Sequence, residues 1–462
     1  MTPRAGMADQ EESDFSLRKM RIAGVALIGG LFGSSMLPYG ALMFAMLPMT
    51  QEFDWTRTEF SWATTTLMWA GALSLPFMGR AIDRLGVRPV ILGGTAVVGL
   101  ITLALAHLGP NPWIFWALFA VLGAVGCSAI GYTKVTAALF TRHRGKALAV
   151  FGAESALVAS VAPLLTNFLM QSYGWRGVFT VYGFIILAVL PLIFFLLPEP
   201  DARPGDPAWK RRAPAANALQ HAAAAANVPG LTAHEALRDR VFWTLVVASI
   251  CAMAPASGMV NHMVAAVVEK GFTQTLAANL ASVAMVCGVA WTLLGGYLVD
   301  KVPTARINIP FQLLSAFGVL LFSLVTPAFG GVALLLVAYN LQGLGLTAGR
   351  PMSTYFHSRF FGFRAFGEIT ALQTVPLTIG MGLSAPLMGW IYDTTHSYQI
   401  AFTIMIAGLL ISAGLYMTLG RYRFSVSPAA IEPILDAEEV IPPAAPVIPG
   451  QAAILAGAAP AA

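Results

Sequence analysis

Hydrophobic positions along this chain fall in long, nearly unbroken runs, unlike the one-sided stripe of a soluble helix or the alternation of a half-buried strand. A helix of about 20 mostly apolar residues crosses the roughly 30 Å hydrocarbon core of a bilayer with every backbone group bonded inside the segment. Twelve runs meet that length, near residues 22–48, 58–79, 89–108, 112–140, 147–172, 177–197, 241–268, 275–299, 306–327, 331–357, 365–391 and 398–420. The expected fold is an all-α membrane protein with twelve transmembrane helices in two pseudo-symmetric six-helix bundles, spanning residues 20–197 and 240–420. Residues 1–19 form a polar tail, 198–239 a Pro/Ala/Arg-rich linker, and 421–462 a Pro/Ala-rich tail expected to be disordered. Within the linker, Thr232 and Glu235 stand at the spacing of a capping box, which predicts a short helix over 231–237.

The two bundles are copies of one unit. Residues 52–84 overlie 269–301 at a constant shift of 217, placing Glu52 on Glu269, Thr56 on Thr273, Gly71 on Gly288, Gly79 on Gly296, Asp83 on Asp300 and Arg84 on Lys301. Lys134 falls on Arg350 at a shift of 216, and Phe179-Thr180 on Phe402-Thr403 at a shift of 223. A repeat of membrane helices, with its halves side by side, is the organisation of secondary carriers.

Composition fits a chain whose solvent is lipid: 57% of residues are hydrophobic and 11% charged, too few charges to keep a soluble domain dispersed. The formal net charge of +5 reports topology. With the N-terminus inside, all but five of the 27 Lys and Arg lie in cytoplasmic segments. Arg57, Arg176 and Lys270 fall on the opposite side, while Lys134 and Arg350 lie within spans. Both termini are therefore expected in the cytoplasm, and nothing in the charge points to nucleic acid. Cys127, Cys251 and Cys287 sit in apolar spans and imply no disulfide framework. No phosphate-cradling motif or metal-ligand cluster is present, so no cofactor, metal or enzymatic role is expected.

The second span ends in Gly79-Arg80-Ala81-Ile82-Asp83-Arg84-Leu85-Gly86-Val87-Arg88-Pro89, with a weaker copy at Gly295-Gly296-Tyr297-Leu298-Val299-Asp300-Lys301. This resembles the signature loop of the major facilitator superfamily, and the resemblance covers residues 20–420. In that family the loop latches the cytoplasmic side in the outward-facing state. The resemblance assigns that gating role to Gly79, Asp83, Arg84, Gly86 and Arg88, with Asp300 and Lys301 in the second copy. Further residues resemble the monocarboxylate-porter branch and its oxalate/formate-antiporter relatives: Glu52 to Glu59, Phe140 to Ala147, Gly174 to Phe179, Asn261-His262 and Phe361 to Arg364. Two features depart from that pattern. The eighth span has no Lys or Arg before Lys301 and the eleventh none after Arg364, where oxalate-type antiporters use basic residues. The eighth-span Asp–Arg pair of animal monocarboxylate carriers is likewise missing its Arg. Separately, the glycine-rich motif that marks drug/proton antiporters, the competing class, is missing from Ala156 to Pro163.

A charge within a span costs several kcal/mol unless paired or hydrated. Lys134 and Glu154 lie at similar depth on adjoining helices, and the corresponding helices of the second half carry Arg350 and Glu368, the latter nearer its helix start. They are either structural ion pairs or a site in which the cation binds a substrate carboxylate and the glutamate exchanges a proton. Tyr339, Gly343 and Arg350 share one helical stripe, which is either an anion site or a packing seam. His262 and Asn261 in the seventh span and Tyr39 in the first complete the candidates, with His262 titrating in the physiological range when unperturbed. The resemblance implies a monomeric inner-membrane carrier of a small organic anion, most simply a monocarboxylate taken up with protons. Anion exchange of the oxalate/formate type and drug/proton antiport are the alternatives.

Overall fold

The computed structural model describes residues 17–33, 35–132, 135, 144–197 and 229–424, with side chains except at 17–19, 83, 144–156, 346, 348, 350 and 351. The described residues are helical nearly throughout. The first span is divided into α1 (Leu17–Gly33) and α2 (Met36–Phe53), with Ser35 at the N-cap of the second, and Pro38 sits in the opening turn of α2, where a missing N–H costs nothing. Then come α3 (Arg57–Leu85), α4 (Val87–Ala106), α5 (Pro112–Gly126) and α6 (Arg144–Leu196). The second half holds α8 (Arg240–Glu269), α9 (Gln274–Lys301), α10 (Asn308–Leu324), α11 (Gly331–Phe361), α12 (Phe366–Thr395) and α13 (Gln399–Thr418).

Nine helical stretches are long and apolar enough to cross a membrane by length and hydropathy. One of them, Leu157–Leu196, is two spans joined at Gly174, whose φ of 67° only glycine adopts without strain. Helices α3 and α11 complete the twelve, α3 being less apolar than the rest because polar residues line its length.

The linker helix forms as α7 (Ala233–Arg238), with the Thr232–Glu235 capping box closed in both directions. Its approach is fixed to the second half, because Leu231 N–H donates to the Phe361 carbonyl at 2.7 Å and Phe363 N–H to that of Pro229 at 3.2 Å.

Two faces are defined by where the helices turn. The tail-bearing face carries residues 17, 229–239 and 420–424; the far face carries the turns at 54–56, 107–111, 270–273 and 396–398. The apolar core differs between them. Toward the far face a single cluster runs through both halves, from Phe44, Trp55 and Phe119 to Met263, Phe322 and Phe402. At the tail-bearing face each half has its own cluster, one around Ile22, Ile82, Ile91 and Ile193, the other around Phe242, Phe311, Phe356 and Phe360. Among the described side chains, the apolar clusters join the halves toward the far face and not at the tail-bearing face.

Candidate functional site

The seam that closes the far face is built on the opening turn of α3. Thr56 and Glu59 form a capping box there, so the helix starts sharply at Arg57. Two further backbone donors at this terminus are satisfied from the other half. Asp393, at the end of α12, accepts from Arg57 N at 3.0 Å, from Thr58 N at 2.9 Å and from the Thr58 hydroxyl at 2.6 Å. A carboxylate at a helix N-terminus also meets the positive end of its dipole. The approach is possible because Gly389 lacks a side chain: a Cβ there would lie 2.7 Å from the Arg57 carbonyl carbon and the Thr58 nitrogen.

The Arg57 side chain continues the link. Its guanidinium stacks on Tyr392, 3.4 Å from the ring centroid, donates to the Tyr398 hydroxyl at 2.5 Å and pairs with Glu269 at the end of α8. Tyr392 and Glu269 line the same cavity at the seam. Behind Tyr398 lies His262, fully buried, with Nδ1 2.9 Å from the Tyr398 hydroxyl and Nε2 3.0 Å from the Ala385 carbonyl and 3.1 Å from Ser61 Oγ. A carbonyl only accepts, so we assign the proton to Nε2; Nδ1 then accepts from Tyr398, whose oxygen takes the Arg57 donor. A phenol is protonated at neutral pH, so the Tyr398 hydroxyl can donate to His262. The Ser61 hydroxyl donates to the Arg57 carbonyl at 2.6 Å, leaving a lone pair toward Nε2. One turn further in, Thr65 donates to the Gly382 carbonyl at 2.7 Å.

The pseudo-equivalent seam between α6 and α9 is closed by neutral groups. Gln171 donates to the Thr275 hydroxyl at 2.8 Å and Asn167 reaches it at 3.4 Å. The far face is therefore fastened by charge on one side and by amides on the other. A cavity of about 500 Å³, apolar in lining, lies beside the charged seam between Trp62 and Thr58 of α3, Ile250 and Pro255 of α8, and Leu383 and Leu387 of α12. A second, polar cavity of about 350 Å³ opens at the seam itself, lined by Glu269, Lys270, Tyr392, His396, Tyr398 and Gln399.

Of the candidates read from the sequence, His262, Asn261 and Tyr39 meet where the halves touch: Tyr39 on α2 reaches the Asn261 side chain on α8, and the Asn261 amide nitrogen has no hydrogen-bond partner. Tyr339 is buried against Phe322, with ring centroids 6.3 Å apart, while Gly343 on the same stripe faces open space. Glu368 stands exposed in the first turn of α12. Lys134, and the side chains of Glu154 and Arg350, lie outside the described residues.

Among the gating residues, Gly86 turns α3 into α4 with φ 94°. Arg88 donates to the Phe194 carbonyl at the end of α6 and lies 4.9 Å from that ring, so it binds a facing helix end within its own half. Arg84 is exposed, Gly79 has nothing within reach of an added Cβ, and Lys301 stacks on Tyr297 one turn back, next to an exposed Asp300. The side chain of Asp83 lies outside the described residues. Sequence reading missed the functional weight of Arg57, Glu269, Asp393 and Tyr398. The available signals were Arg57 as one of three basic residues on the far side and Glu269 as the repeat partner of Glu52.

Twelve spans in two repeated halves, joined at one face and divided at the other, define a multi-pass membrane transporter. The sequence profile of the Major Facilitator Superfamily matches residues 28–338, and the chain belongs to that superfamily, whose members move small solutes across membranes. It is 26% identical over 414 residues to monocarboxylate transporter 11 of Mus musculus, covering 86% of this chain and 88% of that one. A shorter match, 30% over 139 residues, is to the multidrug resistance protein MdtL of Escherichia coli O157:H7, covering 30% of this chain and 35% of that one. In fold it is similar to the crystal structure of a D-xylose-proton symporter, with a TM-score of 0.61 at 15% identity, covering 86% of this chain and 97% of the other.

Proposed function

We propose that this protein carries a small monocarboxylate together with protons by alternating access, as a monomer in a cell inner membrane with both termini cytoplasmic. The observation that supports proton coupling is the position of His262. It is a fully buried titratable side chain whose two ring nitrogens contact both halves at the closed seam. Adding a proton turns Nδ1 from acceptor into donor, so Tyr398 must stop donating to it and the seam must rearrange. Protonation state and conformation are thereby linked, as symport requires.

The monocarboxylate class is supported by similarity along most of the chain to monocarboxylate transporter 11, where the likeness to MdtL spans 139 residues. The anion is assigned to the α11 stripe of Tyr339 and Arg350, with Lys134 as the matching cation of the first half and Glu154 and Glu368 as further exchanging carboxyls. Replacing Arg350 or Lys134 by Met is expected to abolish uptake of labelled small carboxylates into proteoliposomes. Normal uptake in both variants contradicts the anion site.

A further inference from the structure

We infer that Glu269 is the carboxylate through which protons from the far face enter the seam; this deepens the proton-coupled reading above and rests on it. The internal repeat places Glu269 on Glu52, and the 223-residue shift that superposes Phe179 on Phe402 places Trp175 on Tyr398 and Arg176 on Gln399. In the first half the set is complete. Glu52 accepts from Trp175 Nε1 at 2.7 Å and pairs with Arg176 at 2.6 Å, all within one half. That pair survives any movement of one half against the other.

In the second half the arginine is missing. Gln399 occupies its place, and Glu269 takes its cation from across the seam, from Arg57. The exchange is one-way, because the repeat partner of Arg57 is Gln274, whose Nε2 has no hydrogen-bond partner. Separating the halves at the far face therefore leaves Glu52 paired and strips Glu269 of its countercharge.

The charged and titratable groups around Glu269 do not supply another. Lys270 is turned away, donating to the carbonyls of Ser323 at 2.9 Å and Val325 at 3.2 Å. Asp393 carries the same charge as Glu269, and Tyr392 and Tyr398 are neutral hydroxyls. His396 lines the same polar cavity, at its exposed edge. That cavity gives Glu269 access to solvent on the far face.

The cycle then balances. As Arg57 withdraws, the Glu269 carboxylate binds a proton from the far-face solution. Nη1 and Nη2 of one guanidinium had held the Tyr398 hydroxyl and the carboxylate side by side, so its departure leaves room for a bridging water. The acid proton passes to the Tyr398 oxygen as the Tyr398 proton passes to Nδ1 of His262. Glu269 is again a carboxylate, Tyr398 again a phenol, and His262 holds the added proton inside the seam.

The test uses proteoliposomes and two assays, accumulation driven by an inward proton gradient and exchange of preloaded substrate without one. Glu269→Gln is expected to lose gradient-driven accumulation by about tenfold or more while retaining exchange. Gln399→Arg, which gives Glu269 the permanent partner that Glu52 has and changes an exposed side chain, is expected to do the same; Glu52→Gln is expected to keep both activities. Gradient-driven accumulation at the wild-type level in Glu269→Gln, or in Gln399→Arg should the first variant fail to fold, overturns the inference and leaves the symport reading standing. Absence of gradient-driven accumulation in the wild type overturns the symport reading itself.

Discussion

His262 holds its place by three contacts, to Tyr398, Ser61 and Ala385, and all three are lost on truncation. His262→Ala leaves the buried Tyr398 hydroxyl without its acceptor, and a buried polar group left unpaired costs about 1–3 kcal/mol. The closed seam is weakened relative to the open one by that order. The expected result is faster maleimide labelling of a cysteine placed at Thr65, itself buried in the seam, in a background lacking Cys127, Cys251 and Cys287. Unchanged labelling contradicts the role given to His262. At this scale the sequence was a partial guide. Asn261, His262 and Tyr39 stood out because polar side chains inside apolar runs need a reason. Arg57 and Glu269 did not, because at helix ends a charge is ordinary, and their pairing joins residues 212 positions apart.

At the level of elements, the seam depends on how closely α12 approaches the opening turn of α3. Gly389 sets that distance, and Gly382 repeats the device one segment inward, where an added Cβ would meet Trp69 Nε1 at 2.5 Å. The Gly389 contact is to backbone, which cannot swing aside as the end of a side chain can. Gly389→Val is therefore expected to hold the far face ajar. Spin labels at Trp113 and Ile400, exposed near the far face on opposite halves, should report a longer distance in this variant than in the wild type; equal distances contradict the packing argument. Helix boundaries were legible where capping chemistry was explicit, as at Thr56–Glu59 and Thr232–Glu235. The division of the first span was harder to place: α2 begins at Met36, two residues before Pro38, since proline is tolerated in the first turn of a helix.

On the scale of the whole molecule, hydrophobic run length and the internal repeat were enough to give twelve spans in two bundles. The run length follows from a bilayer that admits helices of one length. The conformational state was not legible, because either face of such a repeat can close with the same helices. It is visible in the structure as one apolar cluster shared by the halves toward the far face and two separate clusters at the tail-bearing face. Pseudo-symmetry also hides the asymmetry that matters: the seam of α3 with α8 and α12 carries Arg57, Glu269 and Asp393, while among the described residues that of α6 and α9 is bridged by Asn167, Gln171 and Thr275. On the proton-coupled reading proposed above, the charge that fastens one side of the closed face is the proton-sensitive element of the conformational change.

The most direct measurement is uptake of a panel of labelled small carboxylates into proteoliposomes, with and without an inward proton gradient and with and without preloaded substrate. Accumulation of a monocarboxylate driven by the gradient alone is the predicted result. Uptake that appears only with preloading, or no carboxylate flux at all, contradicts proton-coupled monocarboxylate transport.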